Sequence, residues 1–235
     1  MDSKIVAITG AYKGLGAALS KALAAKRCRL FLGGRNPEEL EKFTKEMQKQ
    51  TEAISVVVDV RSKKDCERFI KTAVEKFGRI DILINNAGIL KLSSIDEVTE
   101  EEIKDTFETN VYGPIFCSQA AVKEMRKHNS GLIINIGSTS AVDYKKNHIS
   151  YGSSKSAVVG FSGSLKAELE GTGIKVIVVS PGGMKTELFR SKPEIMRDDF
   201  MNPALVAGKI VEMIDNPPEE LHIIIRRPTA DHKKS

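Results

Sequence analysis

Ile5-Val6-Ala7-Ile8-Thr9-Gly10-Ala11-Tyr12-Lys13-Gly14-Leu15-Gly16 is an apolar, β-branched run that breaks on a glycine and restarts within a few residues as a helical pattern. A short run with apolar residues on both faces reads as a strand buried on both sides, the kind found in parallel sheets. Gly10 permits a tight turn, and Gly14 and Gly16 let the backbone come close to an anion such as a pyrophosphate at the helix N-terminus. The spacing is G-x-x-x-G-x-G, not the more common G-x-G-x-x-G of dinucleotide-binding turns.

The same alternation continues to the end of the chain. Strands are expected at Ile5–Thr9, Leu30–Gly33, Ile54–Val58, Ile82–Asn85, Leu132–Ile136, Val176–Ser180 and His222–Ile225. Helical patterns fill the intervals, around Leu15–Ala25, Pro37–Gln50, Lys63–Phe77, Glu100–Lys127, Tyr151–Glu170 and Pro203–Asp215. Such regular strand–helix alternation implies an α/β fold of the Rossmann type, a doubly wound parallel sheet of about seven strands with helices on both faces. Ligands in such sheets bind at the carboxyl ends of the strands, where strand order reverses. The chain reads as a single domain over residues 1–228, with a substrate segment at about 183–202 and a frayed tail at 229–235.

Composition narrows the possible functions. No apolar run approaches the roughly 18 residues of a membrane span, and Met1-Asp2-Ser3-Lys4 leads into the first strand without a signal-peptide pattern. Cys28, Cys66 and Cys117 are widely spaced and odd in number, which suits reduced thiols in a cytoplasmic protein. With only 4 histidines, no metal site is expected. The net charge of +5 comes mostly from lysines and arginines interleaved with glutamates, as on solvated helix faces. It gives no stripe for nucleic acid.

The second strand ends Leu32-Gly33-Gly34-Arg35-Asn36. An NAD site usually carries Asp or Glu here, about 20 residues past the glycines, to accept from the ribose 2′-hydroxyl. Arg35 can instead make a charge-assisted contact with a 2′-phosphate, and Lys13 adds a second cation. Two cations and no carboxylate point to NADP(H). Tyr151 and Lys155 stand four residues apart, so on a helix they share a face. A phenol normally titrates near pH ~10, and a nearby cation favours the phenolate. The pair can serve general acid–base chemistry.

Tyr151-x-x-x-Lys155, with Ser138 thirteen residues upstream and the glycine turn, resembles the short-chain dehydrogenase/reductase family. The resemblance spans residues 4–190. Asn85-Asn86-Ala87-Gly88 is similar to the family's N-N-A-G element, Asp59-Val60 to its adenine-contacting pair, and Asn110 to its proton-relay asparagine. Pro181-Gly182-Gly183-Met184-Lys185-Thr186 is similar to the segment flanking the nicotinamide. The resemblance implies an NADPH-dependent oxidoreductase acting on a carbonyl or secondary alcohol, with carbonyl reduction favoured. Tyr151 would protonate the substrate oxygen, Ser138 would donate to it, and Asn110 would hold a water. Lys155 would hold the ribose and depress the phenol pKa. Cofactor contacts fall to Gly10, Tyr12, Lys13, Gly14, Leu15, Gly16, Arg35, Asn36, Asp59, Val60, Asn86, Ala87, Gly88, Pro181, Gly182, Met184 and Thr186, together with Tyr151 and Lys155. Ser140 competes with Ser138 for its role; the thirteen-residue interval favours Ser138. Asn85 is read as fixing backbone geometry, and Asn110 equally as a mid-helix kink residue.

Substrate preference should lie in the segment after Pro181, where Met184, Leu188, Phe189, Ile195, Met196 and Phe200 could form a short apolar lid. The loop Asp143-Tyr144-Lys145-Lys146-Asn147-His148 is unusually basic for a pocket edge. A solvated loop is its simpler reading; selection of a carboxylate-bearing substrate is the sharper one. The ending Leu221-His222-Ile223-Ile224-Ile225-Arg226-Arg227 lacks the D-G-G segment of many family members. This puts in doubt a fatty-acid-synthesis ketoacyl reductase and a tetramer interface built from the last strand, with a 3-oxoacyl reductase kept as an alternative function. It is closer to members acting on small carbonyls, hydroxy acids or hydroxy amino acids. A homodimer through the two long helices is expected, with a homotetramer as the larger alternative. A non-catalytic NADP(H) sensor on the same fold is the competing class, disfavoured because both Tyr151 and Lys155 are present.

Overall fold

The computed structural model describes residues 1–189 and 195–227. The expected tail at 229–235 and the middle of the substrate segment, 190–194, lie outside the described residues. Seven strands form one sheet: β1 (Ile5–Thr9), β2 (Arg29–Gly34), β3 (Ala53–Val57), β4 (Ile82–Asn85), β5 (Gly131–Ile136), β6 (Ile174–Pro181) and β7 (His222–Ile225). All neighbours are parallel, in the order β3-β2-β1-β4-β5-β6-β7. The chain builds outward from β1 to β3, then crosses back to place β4 on the other side of β1. Strand order therefore reverses between β1 and β4, and the crevice opens at their carboxyl ends.

Side chains alternate across each strand, so β1 sends Val6 and Ile8 to one core and Ile5 and Ala7 to the other. The first core is covered by α1 (Gly14–Ala25), α2 (Pro37–Met47) and α7 (Pro203–Asp215), through residues such as Leu19, Phe43 and Ile210. The second is covered by α3 (Lys63–Phe77) and α5 (Gly113–Arg126), through Phe69, Ile70 and Met125. Cys28, Cys66 and Cys117 are free and buried in these cores. Among the described residues no helix is long and apolar enough to cross a membrane, and no cluster of ligating side chains could hold a metal ion.

The helix expected at Glu100–Lys127 is interrupted. It runs as α4 (Glu100–Phe107), a wider π turn at Glu108–Tyr112, and then α5. The cause is legible at Pro114, which has no amide to donate to the carbonyl of Asn110 and whose ring crowds it. The chain widens by one residue, and the Gly113 N–H reaches Glu108 instead. Buried Asn110 sits inside this turn, so the expectation of a kink there is met. The last long helix, α6 (Ile149–Glu168), starts two residues earlier than the sequence pattern indicated and carries Tyr151 and Lys155 on one buried face.

Candidate active site

The loops after β1 and β4 are fastened together above the strand-order reversal. Thr9 Oγ1 accepts from the amides of Asn86 and Ala87, both at 3.1 Å. Asn86 Nδ2 donates back to the carbonyls of Thr9 and Gly10, at 3.0 and 2.9 Å. Gly10 and Gly14 take positive φ, 62° and 50°, which a side chain would strain. Gly16 is required for packing: a Cβ there would lie 2.0 Å from the Gly10 carbonyl oxygen. The start of α1 differs from most other helices. Side chains cap α2 (Asn36), α3 (Ser62), α4 (Thr99) and α7 (Asn202), whereas α1 begins at Lys13 with no side-chain cap and no acid in its first turn. Its first amides face the crevice with their positive dipole end uncompensated.

Around this turn, Tyr12 lies against Gly34, where a Cβ would collide with its ring. Its hydroxyl accepts from the Asn36 amide at 3.3 Å. Lys13 pairs with Glu39 at 2.7 Å and Glu187 at 3.6 Å, and the Glu39 hydrogen bond holds its pKa above the usual lysine value. Arg35 is exposed on the crevice wall and makes no ion pair among the described residues. Asp59 is held by Arg61 at 2.7 Å, whose hydrogen bond keeps its carboxyl below the usual range.

At the other end of the crevice, beyond β5, Ser138 opens a single helical turn and its Oγ accepts from the Ser140 amide at 3.1 Å. Tyr151 rises from α6 on the same cavity wall. Burial pushes the phenol above its ordinary value, with the Ser138 side chain pulling the other way. Lys155 is 5% exposed, and its Nζ donates to the Ile136 carbonyl at 2.9 Å. Burial lowers its pKa from 10.5 to about 8. The ammonium lies 5.8 Å from the Tyr151 ring centroid. The expectation that Lys155 depresses the phenol pKa therefore does not describe this structure: desolvation prevails over a cation that does not touch the hydroxyl.

Asn110 supports this cluster from beneath. Its Oδ1 accepts from the Ile89 amide at 2.9 Å, and its Nδ2 donates to the Ile89 carbonyl and to Ser154 Oγ, both at 3.0 Å. Its side chain meets the loop after Gly88, where a Cβ would stand 3.2 Å from Asn110 Oδ1 and 3.6 Å from Lys155 Nζ. Asn85 does fix geometry: Nδ2 donates to Asn135 Oδ1 at 2.8 Å and Ser118 Oγ at 3.0 Å, cross-linking β4 to β5 and α5.

These features match the short chain dehydrogenase family model over residues 4–196. The chain belongs to that family. An uncharacterized oxidoreductase of Staphylococcus saprophyticus is 34% identical over 190 residues, 80% of this chain and 81% of that one. An alcohol dehydrogenase from the archaeon Thermococcus sibiricus, solved with 5-hydroxy-NADP, superposes with a TM-score of 0.88 at 25% identity, over 97% of this chain and 100% of its own. An actinorhodin polyketide ketoreductase variant solved with NADPH gives a TM-score of 0.88 at 28% identity, over 96% of this chain and 97% of its own.

In this short-chain dehydrogenase one cavity of about 610 Å³ runs from the glycine turn to Tyr151. Of the residues singled out from sequence, Gly10, Tyr12, Lys13, Gly14, Leu15, Arg35, Asp59, Val60, Asn86, Ala87, Gly88, Ser138, Tyr151, Lys155, Pro181, Gly182, Met184 and Thr186 line it. Gly16, Asn36 and Asn110 do not; they act as a packing contact, a helix cap and a buried brace. Sequence reasoning missed Glu102, whose carboxylate accepts from Ser93 at 2.6 Å and Ser150 at 2.8 Å and so fixes the start of α6. It also gave no role to His148, which meets Ser140 Oγ at 3.1 Å and packs edge-on against Tyr151, with ring centroids 6.0 Å apart. A histidine three residues before the tyrosine was the available signal.

Proposed function

We propose that this short-chain dehydrogenase is an NADP(H)-dependent carbonyl reductase, reversibly a secondary-alcohol dehydrogenase. The observation that carries this reading is the joining of the uncapped start of α1 to the Ser138–Tyr151–Lys155 cluster through one cavity. The residues fit an extended dinucleotide. The α1 amides would receive its pyrophosphate, Asp59 and Val60 would border the adenine, and Arg35 would meet a 2′-phosphate. Pro181, Gly182, Met184 and Thr186 would flank the nicotinamide, and Lys155 would hold its ribose. The NADP and NADPH bound to the two structural relatives support the same choice.

The cofactor supplies a hydride to the carbonyl carbon when bound. Tyr151 gives its hydroxyl proton to the carbonyl oxygen, and its raised pKa suits that direction, since the phenol stays protonated until the substrate draws on it. Ser138 already accepts from Ser140, which orients its own proton toward Tyr151 or the substrate oxygen and stabilises the developing charge. Asn110 has its side chain occupied, so a relay water would sit at its main-chain carbonyl, four residues from an amide-less Pro114. We also place the protein in the cytoplasm, with no membrane or nucleic-acid partner, and as a homodimer or homotetramer. The open space around Gly160 on α6 supports close approach of a second copy.

The test is NADPH and NADH absorbance against aldehydes, ketones, 3-oxoacyl thioesters and quinones. Oxidation of NADPH in preference to NADH by at least one carbonyl is expected. Preference for NADH would overturn the cofactor assignment, and cofactor binding without turnover by any carbonyl would favour a sensor.

A further inference from the structure

Three basic side chains stand on the wall of the catalytic half of the cavity, two of them paired with Asp199 and one, Lys145, without an ion pair among the described residues. Lys145, Arg197 and Arg227 line it near Tyr151, while the wall's acidic residues, Asp59 and Glu187, are engaged by Arg61 and Lys13 at the other end. Two carboxylates lie just outside this corner, and both are occupied: Asp143 by Arg226, and Asp199 by Arg227 at 2.8 Å and Arg197 at 3.4 Å. Asp198 is exposed and off the wall. Lys145 makes no ion pair or side-chain hydrogen bond among the described residues.

Lys145 lines the same cavity as Tyr151. Its carbonyl accepts from the His148 amide, within the turn that leads to Tyr151. Arg227 comes from the other side, past β7, with its stem against Gly182 and its guanidinium 5.3 Å from the Phe200 ring centroid. Partial burial lowers the Lys145 pKa below the usual lysine value, with repulsion from Arg227 and Arg226 adding to it and Asp143 pulling the other way. An unpaired lysine, with Arg227 held by Asp199 beside it and Met184 and Leu188 on the same wall, is suited to an anion on an otherwise apolar molecule.

We propose that Lys145, with Arg227 behind it, receives the carboxylate of the substrate, so that this enzyme reduces oxo acids and, in reverse, oxidises hydroxy acids. This rests on the carbonyl-reductase reading above and gives it a substrate class. Lys145 and its neighbour Lys146 are both exposed, but only Lys145 stands on the cavity wall, so the basic loop acts through one lysine only.

The experiment compares a series of oxo acids of increasing length with their methyl esters, using wild type, Lys145→Gln and Lys146→Gln. Wild type should favour acids over esters in kcat/KM by about 10- to 100-fold, the size of one charged hydrogen bond. Lys145→Gln should erase that preference, chiefly through a raised KM for the acids, and Lys146→Gln should behave as wild type. Equal use of acids and esters by wild type, or an equal loss of both in Lys145→Gln, would overturn the proposal. Thermal stabilisation by the same acids gives a readout independent of turnover. Acids should raise Tm in wild type but not in Lys145→Gln, and esters in neither; no acid-specific rise would overturn the anion site even if neutral carbonyls are reduced.

Discussion

Lys155 Nζ donates a 2.9 Å hydrogen bond to the main-chain carbonyl of Ile136, tying the catalytic face of α6 to the end of β5. The ammonium is thus held by a neutral acceptor in a buried place, and its pKa falls from 10.5 to about 8. Below pH 8 both folded and unfolded chains carry this proton, and the burial penalty is fully present. Between pH 8 and 10.5 the unfolded chain holds more protons, so this residue makes stability rise with pH. Urea denaturation of the cofactor-free protein should show wild type gaining roughly 3 kcal/mol on Lys155→Met across that window. Parallel pH curves for the two proteins would contradict the burial argument.

Arg35 and Lys13 were both expected to meet a 2′-phosphate, but the structure separates them. Arg35 makes no ion pair among the described residues, whereas Lys13 is engaged by Glu39 and Glu187. Arg35→Ala should therefore weaken NADPH binding by about 10- to 100-fold and leave NADH nearly unchanged. Lys13→Ala should produce a smaller loss, because part of its charge is already neutralised. Fluorescence titration of both cofactors checks this order; equal losses for NADPH and NADH in Arg35→Ala would contradict it.

Asn110 is a brace between α6, the π turn and the loop after β4. Asn110→Ala removes three hydrogen bonds inside a buried site and should destabilise the fold by about 2–4 kcal/mol, while Ser154→Ala, which removes the Asn110 contact and the bond to the Tyr151 carbonyl, should lose about 1–2 kcal/mol. The double variant should lose less than the sum, since the two side chains are partners. Additive losses in chemical denaturation would show that the 3.0 Å contact carries no energy.

The sheet was readable because apolar runs such as Ile5–Thr9 and Leu132–Ile136 are continuous, and each ends on a glycine or a polar turn residue. Helix ends were less so: α2 stops at Met47, short of the expected Gln50. The π turn was half visible, through Pro114 and a suspected kink at Asn110. The Tyr151–Lys155 spacing correctly put both side chains on one buried face. Spacing could not weigh the desolvation of the phenol against the distance of the cation, because both depend on what packs around α6. Glu102 was invisible for a related reason. Its partners are Ser93 in the loop just before α4 and Ser150, 48 residues on in α6, and only the folded chain brings both within reach of its carboxylate.

On the proposed function, Tyr151 delivers the proton that completes carbonyl reduction. Single-turnover oxidation of bound NADPH, mixed with a competent carbonyl substrate, measures that step directly in wild type and Tyr151→Phe. The rate should fall by about 10²- to 10⁴-fold in the variant, with NADPH affinity unchanged. A Tyr151→Phe enzyme that oxidises bound NADPH at the wild-type rate would contradict it.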